Sequence, residues 1–357
     1  MIHNGLHMSV VQLIDVDDPA WDEVVEACSF HDAFHHADHH RAMAPHGRPV
    51  LLTSEDTTIP RWALALVLHP ISEVLPGLEG YDAISVYGYT GLAWCPEHRT
   101  VYRWGDVWRD IRLALRHAGV VSVFIRWHPY DPFDGPWPDS SVVVTGGESV
   151  IVHGLHEQLQ DAGYRKGHRY DIRRAERDGI RAVWSSSERE LIEFVPLYEA
   201  RMARLRAREA YYFDRTDLSH LFRSEQFATI AGKATIDDET LAMSLFLVHP
   251  PYSHYFLSAS AVSKYGSRPS KRLIHDARGQ LARLGATTLH LGGGYGAERD
   301  SLLEFKSGFS NTMVRFRSLR WVVDQHRYAE AVRAWDRSSG EAEAIDKGWF
   351  PRYRTPK

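Results

Sequence analysis

Twice in this chain an amphipathic helix ends at a glycine and passes at once into an apolar run of strand length. The first unit reads from Trp104 to His117, then Gly119, then Val120-Val121-Ser122-Val123-Phe124-Ile125. The second reads from Ser270 to Leu284, then Gly285, then Thr287-Thr288-Leu289-His290-Leu291. In both, glycine stands where a helix C-cap demands a left-handed φ, which a side chain resists. A strand directly behind such a cap predicts an α/β architecture. The chain has 357 residues, beyond the ~250–300 at which a single core stops growing, so one helix–glycine–strand unit in each of two domains is expected.

The remaining pattern fits that plan. Short helices are expected over 18–28 and 34–44, and strands at Val50-Leu51-Leu52 and Trp62 to Leu68. Residues 129–149 carry Pro129, Pro132, Pro136 and Pro138 with Gly135, Gly146 and Gly147, which reads as a linker between domains. Beyond it, helices fit 155–162, 168–178, 187–207 and 215–224, and strands fit Ile180 to Trp184, Leu241 to Val248 and His254 to Ser258. Cys28 and Cys95 are the only cysteines and have no metal or redox spacing, so they read as small buried residues. No apolar stretch approaches the ~18–20 residues of a membrane span, and the first residues lack a secretory h-region, so a cytoplasmic location is expected. The net charge of −4 argues against a globally basic nucleic-acid binder and leaves polyanions to a local patch.

Several segments could carry chemistry. Leu291-Gly292-Gly293-Gly294 follows a strand, and glycines there let the backbone approach a ligand closely. Gly292, Gly294 and Ala297 also satisfy a GxGxxA dinucleotide pattern, which has no βαβ unit behind it. Lys306, just after Phe305 and near this turn, is placed to be partly desolvated and to meet developing negative charge; a surface lysine on a short helix has the same sequence. From Tyr164 to Arg181 seven arginines and lysines face three acids. On a helix there, Arg169 and Arg173 share a face, with Arg177 next in line, a row that suits phosphates and that also describes a solvated face with internal ion pairs. Arg201, Arg204 and Arg206 run on to Tyr211, Tyr212 and Phe213, a pairing able to hold phosphate and stack a base. His35, His36, His39 and His40 make two i, i+4 pairs, a spacing compatible with a transition metal. No HExxH or carboxylate-rich partner motif accompanies them, and packing or surface positions are the expectation, with no metal site.

Three ordered segments resemble the Fem (FemABX) transferases. Asp300-Ser301-Leu302-Leu303-Glu304-Phe305-Lys306-Ser307-Gly308-Phe309 behind the glycine turn is similar to that family's "DSL-x-x-FK-x-GF". Arg169-Tyr170-Asp171-Ile172-Arg173-Arg174-Ala175-Glu176-Arg177-Asp178-Gly179-Ile180 is similar to its "R-x-x-I-R-K-A-E-x-x-G-V" helix. Tyr81-Asp82 with Tyr87-Gly88-Tyr89-Thr90-Gly91 is similar to its "YD-x-x-x-x-YGY-x-G" turn. The resemblance spans about 30 to 320 and implies an α/β (α+β) fold of two tandem GNAT-like domains, each a mixed sheet flanked by helices. These would occupy 1–150 and 151–317, with 318–357 returning to the first.

It also implies transfer of an aminoacyl group from aminoacyl-tRNA to a primary amine of a cell-wall precursor or a small natural product, with no cofactor beyond the charged tRNA. Phe305 and Lys306 match the pair that supports the tRNA end and the reacting ester. Tyr87, Tyr89, Arg204 and Tyr212 fall where such proteins line the acceptor cleft. Gly293 and Gly294 would adjoin the substrate, and Lys166, Arg169, Arg173 and Arg177 would meet the tRNA, since the paired-helix arm of some relatives has no room here. An acyl-CoA-dependent N-acyltransferase is the alternative on the same fold. Tyr265-Gly266-Ser267-Arg268-Pro269-Ser270-Lys271 only faintly resembles a pyrophosphate loop, which tilts the donor toward tRNA.

Overall fold

The computed structural model describes residues 11–56, 59–156, 161, 163–295, 299–339 and 349–355. They form two compact units, one from Met1–His40, His46–Thr145 and Arg317–Lys357, the other from Arg41–Pro45 and Gly146–Phe316.

In the first unit, strands β1 (Val11–Asp15), β2 (Arg48–Ser54), β3 (Trp62–Pro70), β4 (Tyr81–Ile84) and β6 (Val120–Arg126) lie side by side in that order, and β5 (Leu92–Trp94) pairs with β3. The last strand, β13 (Met313–Val322), pairs antiparallel with β6 through Ser318–Val322, while β4 and β6 run parallel. Helices α1 (Ala20–Glu26), α2 (Ala37–Met43), α3 (Trp104–His117) and α9 (Gln325–Ser339) accompany them. Along α3, Trp104, Val107, Trp108, Ile111 and Leu115 are buried, the three-and-four spacing of a helix with one apolar face. Gly119 takes a φ of 78° where α3 ends and β6 begins. The chain end clips back onto this sheet. The buried Asp82 carboxylate on β4 accepts hydrogen bonds from Ser122 Oγ (2.7 Å), Tyr353 OH (2.5 Å) and Arg354 Nε (2.7 Å), and Arg354 also donates to the Pro70 carbonyl at 2.8 Å.

The histidine run is not one helix. Ala33–His35 is a 3-10 turn capped by Asp32, His36 is extended with ψ 151°, and α2 starts only at Ala37. The expected i, i+4 faces are therefore broken, and the surface expectation fails, because all four rings are at most 1% exposed. His36 Nδ1 donates to Asp22 Oδ1 at 2.9 Å, and His39 Nε2 donates to the Tyr87 carbonyl at 2.8 Å. Burial holds His35 and His40 well below the usual imidazole range. Both cysteines are buried and free.

In the second unit the sheet runs β7 (Ser141–His153), β12 (Thr288–Gly292), β11 (Tyr252–Ser260), β10 (Glu239–His249), β9 (Ala228–Ile236), β8 (Arg181–Ser185). Only β11 and β12 pair in parallel among these neighbours. Helices α4 (Lys166–Arg177), α5 (Leu191–Leu205), α6 (Arg215–Arg223), α7 (Arg268–Arg283) and α8 (Ser301–Ser307) complete it. Ile274, Ala277 and Leu281 of α7 pack with Phe246, Leu289, Leu291 and Phe309 in one buried cluster. Gly285 closes α7 with a φ of 90°.

Two expectations change here. The linker over 129–149 is half strand: its prolines stop at Pro138, and Val142-Val143-Val144-Thr145 opens the 13-residue β7, where β-branched residues outweigh Gly146 and Gly147. The helix over 155–162 falls mostly outside the described residues, and Leu155 and His156 lie in a turn. Strand β9 escapes the sequence pattern because Gly232 interrupts it. A Cβ at that position would lie 2.6 Å from the Trp184 ring, so the glycine makes room for the neighbouring strand's indole.

Removing the Asp82 carboxylate strips a largely buried guanidinium of its nearest counter-charge, leaving it Glu73 at 3.3 Å and two backbone carbonyls, and takes the acceptor from the buried Tyr353 and Ser122 hydroxyls. Asp82→Ala is expected to destabilise the first unit by about 3–5 kcal/mol in denaturant unfolding. Adding Arg354→Ala should cost less than the sum of the two single changes, because both remove the same pair.

Candidate active site

Strand pairing between β11 and β12 covers only Tyr252–His254 against Thr288–His290, yet β11 runs on to Ser260. The two parallel strands thus part company just before the glycine turn. Ligands in α/β sheets favour the region beyond the carboxyl ends of neighbouring strands, and that is where β12 delivers Gly292, Gly293 and Gly294.

Two of these glycines are required by close approach. Gly292 has a φ of +78°, and a Cβ there would lie 3.1 Å from Lys306 Nζ. A Cβ on Gly293 would come within 2.6 Å of the Glu148 carbonyl oxygen on β7. The turn is thereby pressed between β7 and the lysine. Gly294 is half-buried.

Lys306 lies on α8, whose N-cap Asp300 accepts the Leu303 N–H at 2.8 Å through one oxygen and the Tyr295 N–H at 2.8 Å through the other. One carboxylate therefore joins the glycine turn to the start of the helix. The lysine is 9% exposed, and its Nζ donates to the Gly293 carbonyl at 2.8 Å. Burial pulls the ammonium down to about 8, while the Asp300 charge opposes the fall. A surface lysine is thus excluded. Among the described residues the group that meets Lys306 at this turn is a carbonyl, and the ammonium carries two further N–H donors.

The helix is held from behind by α4. His168 Nε2 donates to the Phe305 carbonyl at 2.8 Å, and its ring stands edge-on to Phe309 with centroids 4.8 Å apart. Arg165 adds a bond from Nη2 to Ser307 Oγ at 2.8 Å. A Cβ on Gly308 would sit 2.1 Å from the His168 ring, which gives a physical reason for glycine in the "FK-x-GF" string. Phe305 itself is half-buried, its ring 5.7 Å from that of Phe309. His168 went unnoticed in the sequence as a site residue, since nothing local marks its 137-residue reach to Phe305.

The other expected residues divide. Arg204 is exposed and donates through Nη2 to the Ser260 carbonyl at the end of β11 (2.8 Å). Tyr212 is half-buried just after the 3-10 turn Glu209–Tyr211. Tyr87 and Tyr89 belong to the first unit, half-buried; Gly88 between them has a φ of +131°, and a Cβ there would lie 2.6 Å from the Phe34 ring. The predicted phosphate row on α4 needs correcting. Lys166, Arg173 and Arg177 are exposed, but Arg169 turns back, donating to the Tyr164 carbonyl at 2.8 Å and fastening the turn before the helix. Arg173 faces Asp161 at 3.8 Å.

No protein-family model matches the sequence, and no curated protein matches it by sequence. Solved structures do resemble the fold. FemX superposes with a TM-score of 0.65 at 11% identity, over 89% of this chain and 99% of that one. L-PGS from Bacillus licheniformis follows with a TM-score of 0.57 at 12% identity, over 87% and 93% of the two chains. The C-terminal domain (DUF2156) of a putative lysylphosphatidylglycerol synthetase from Agrobacterium fabrum gives 0.53 at 13% identity, over 84% and 92%. The chain has a Fem-like GNAT fold, a mixed α/β architecture as the sequence implied.

Because the His168 ring fills the space beside Gly308, Gly308→Ala should destabilise the second unit by about 1–3 kcal/mol through overpacking. Melting curves should show part of that loss recovered in the double variant with His168→Ala, which vacates the volume.

Proposed function

We propose that the protein is an aminoacyltransferase that moves an aminoacyl group from the ester of a charged tRNA onto a primary amine. The observation that carries this reading is the buried Lys306 ammonium, fixed on the Gly293 carbonyl beside the parting strands. Support comes from the fold, shared with FemX, with L-PGS and with the C-terminal domain of a putative lysylphosphatidylglycerol synthetase, and from the "DSL-x-x-FK-x-GF" string that builds this site.

In the reaction the acceptor nitrogen attacks the ester carbonyl and the C=O electron pair moves onto oxygen. Collapse then breaks the bond to the ribose oxygen, forms the amide, and passes the amine's proton to the released hydroxyl. The oxyanion needs a preorganised positive donor in a site that excludes water, where its stabilisation is large. Lys306 is that donor. Its position is set by the Gly293 bond and the α8 helix before substrate arrives, so little reorganisation accompanies charge development. The ester is already activated, and the protein's remaining task is to align two bound partners. The acceptor is an amine of a cell-wall precursor or of a small natural product. Lys166, Arg173 and Arg177, exposed along α4, are the cations offered to the tRNA backbone.

Two outcomes test this. With charged tRNA and a panel of amines, product followed by mass should disappear on ribonuclease treatment and persist without acyl-CoA; the reverse dependence would transfer the site to the CoA-dependent alternative. Lys306→Ala should lower kcat by about 10²–10³. Since the protonated form is the active one and its value lies near 8, the ratio of wild-type to Lys306→Ala rate, in which the acceptor amine's own deprotonation cancels, should hold on the acid side and fall as pH rises through about 8. A ratio that climbs there would make the neutral lysine a base and refute the oxyanion role.

A further inference from the structure

Beyond Lys306, the mouth of the strand opening carries a second set of groups. Tyr295 follows the glycine turn directly and is 49% exposed. Its backbone is fixed, since Asp300 accepts its N–H at 2.8 Å. Its hydroxyl lies within 3.5 Å of Arg201 Nη2 on α5. One helical turn on, Arg204 reaches the Ser260 carbonyl where β11 ends. Residues three apart share a helix face, so α5 presents two guanidiniums toward the carboxyl ends of β11 and β12. Tyr255 of β11, half-buried, lies within electrostatic reach of both Arg201 and Tyr295.

A fixed, exposed aromatic face beside planar forked cations is the chemistry that takes a nucleobase by stacking and its phosphate by paired hydrogen bonds. Spacing agrees. Gly293, which holds Lys306, and Tyr295 are two residues apart, so their Cα atoms lie within about 7 Å, the scale on which a terminal base and an acyl group on the same nucleotide are separated. We infer that Tyr295, Arg201 and Arg204, the last expected from the sequence at the acceptor cleft, form a ledge that binds the terminal nucleotide of the acyl donor, base on the ring and phosphate on the arginines, while Lys306 meets the acyl carbonyl. This rests on the acyl-transfer reading of the Lys306 site, but the ledge itself asks only for a nucleotide. A tRNA 3′ end and the adenine nucleotide of coenzyme A share that chemistry; the weak pyrophosphate loop favours the tRNA end.

The test measures binding of the full chain to a cytidine-cytidine-adenosine trinucleotide and, separately, to coenzyme A, for wild type, Tyr295→Leu, Tyr295→Phe and Arg201→Gln, each checked for an unchanged melting temperature. Tyr295→Leu should weaken trinucleotide binding about tenfold, the worth of one stacked base, and Tyr295→Phe should restore most of it. Arg201→Gln should lower the salt dependence of affinity by about one charge, which a merely structural role would leave unmoved. If coenzyme A binds with the same dependence on Tyr295 and the trinucleotide does not, the ledge stands and the tRNA donor falls. If Tyr295→Leu and Arg201→Gln bind both ligands as wild type does, the ledge is wrong, and charged-tRNA transfer by the wild type would still decide the proposed function on its own.

Discussion

A cation out of water is the constraint around which the second unit is arranged. An ammonium at 9% exposure loses most of its hydration, and its affinity for a proton drops accordingly. Among the described residues, the Gly293 carbonyl and the more distant Asp300 charge offset that loss. The surrounding chemistry follows from meeting this demand: glycine at 292 to admit the Nζ, glycine at 293 to let the turn press against β7, and a capped helix to deliver the lysine. A position held at such cost is suited to stabilising charge that appears only during reaction.

The support is arranged in layers. Asp300 ties turn to helix, and His168 with Arg165 ties the far end of the same helix to α4. A seven-residue helix has too few internal hydrogen bonds to persist alone, so these attachments set its orientation. The motif residues that look like catalytic signature are therefore of two kinds. Lys306 holds its ammonium on the Gly293 carbonyl, while Gly308, Phe309 and His168 fix the helix that carries it.

The first unit shows the same economy in a different place. Its four clustered histidines are core residues, and three of them bond through one ring nitrogen each: His36 to Asp22, His39 to the Tyr87 carbonyl and His35 to the Asp32 backbone. Its carboxylate at Asp82 gathers a hydroxyl from β6 and two groups from the chain end. Buried polar groups satisfied across long sequence distances define one arrangement of chain, since a slipped register would leave them unpaired.

Sequence alone determined the helix–glycine–strand grammar, because cap geometry and hydrophobic period are local properties written into neighbouring residues. It also located Lys306 and its glycine turn, which lie within 15 positions of each other. Tertiary structure decided what local pattern cannot carry. It turned Arg169 inward to the Tyr164 carbonyl, made strand of the proline- and glycine-rich stretch ending in β7, and broke the histidine run at His36. It also set His168 against Phe305 from 137 residues away. Whether a charged or polar side chain faces water or a partner depends on which distant segment arrives beside it, and that is settled only when the sheet and its covering helices are packed.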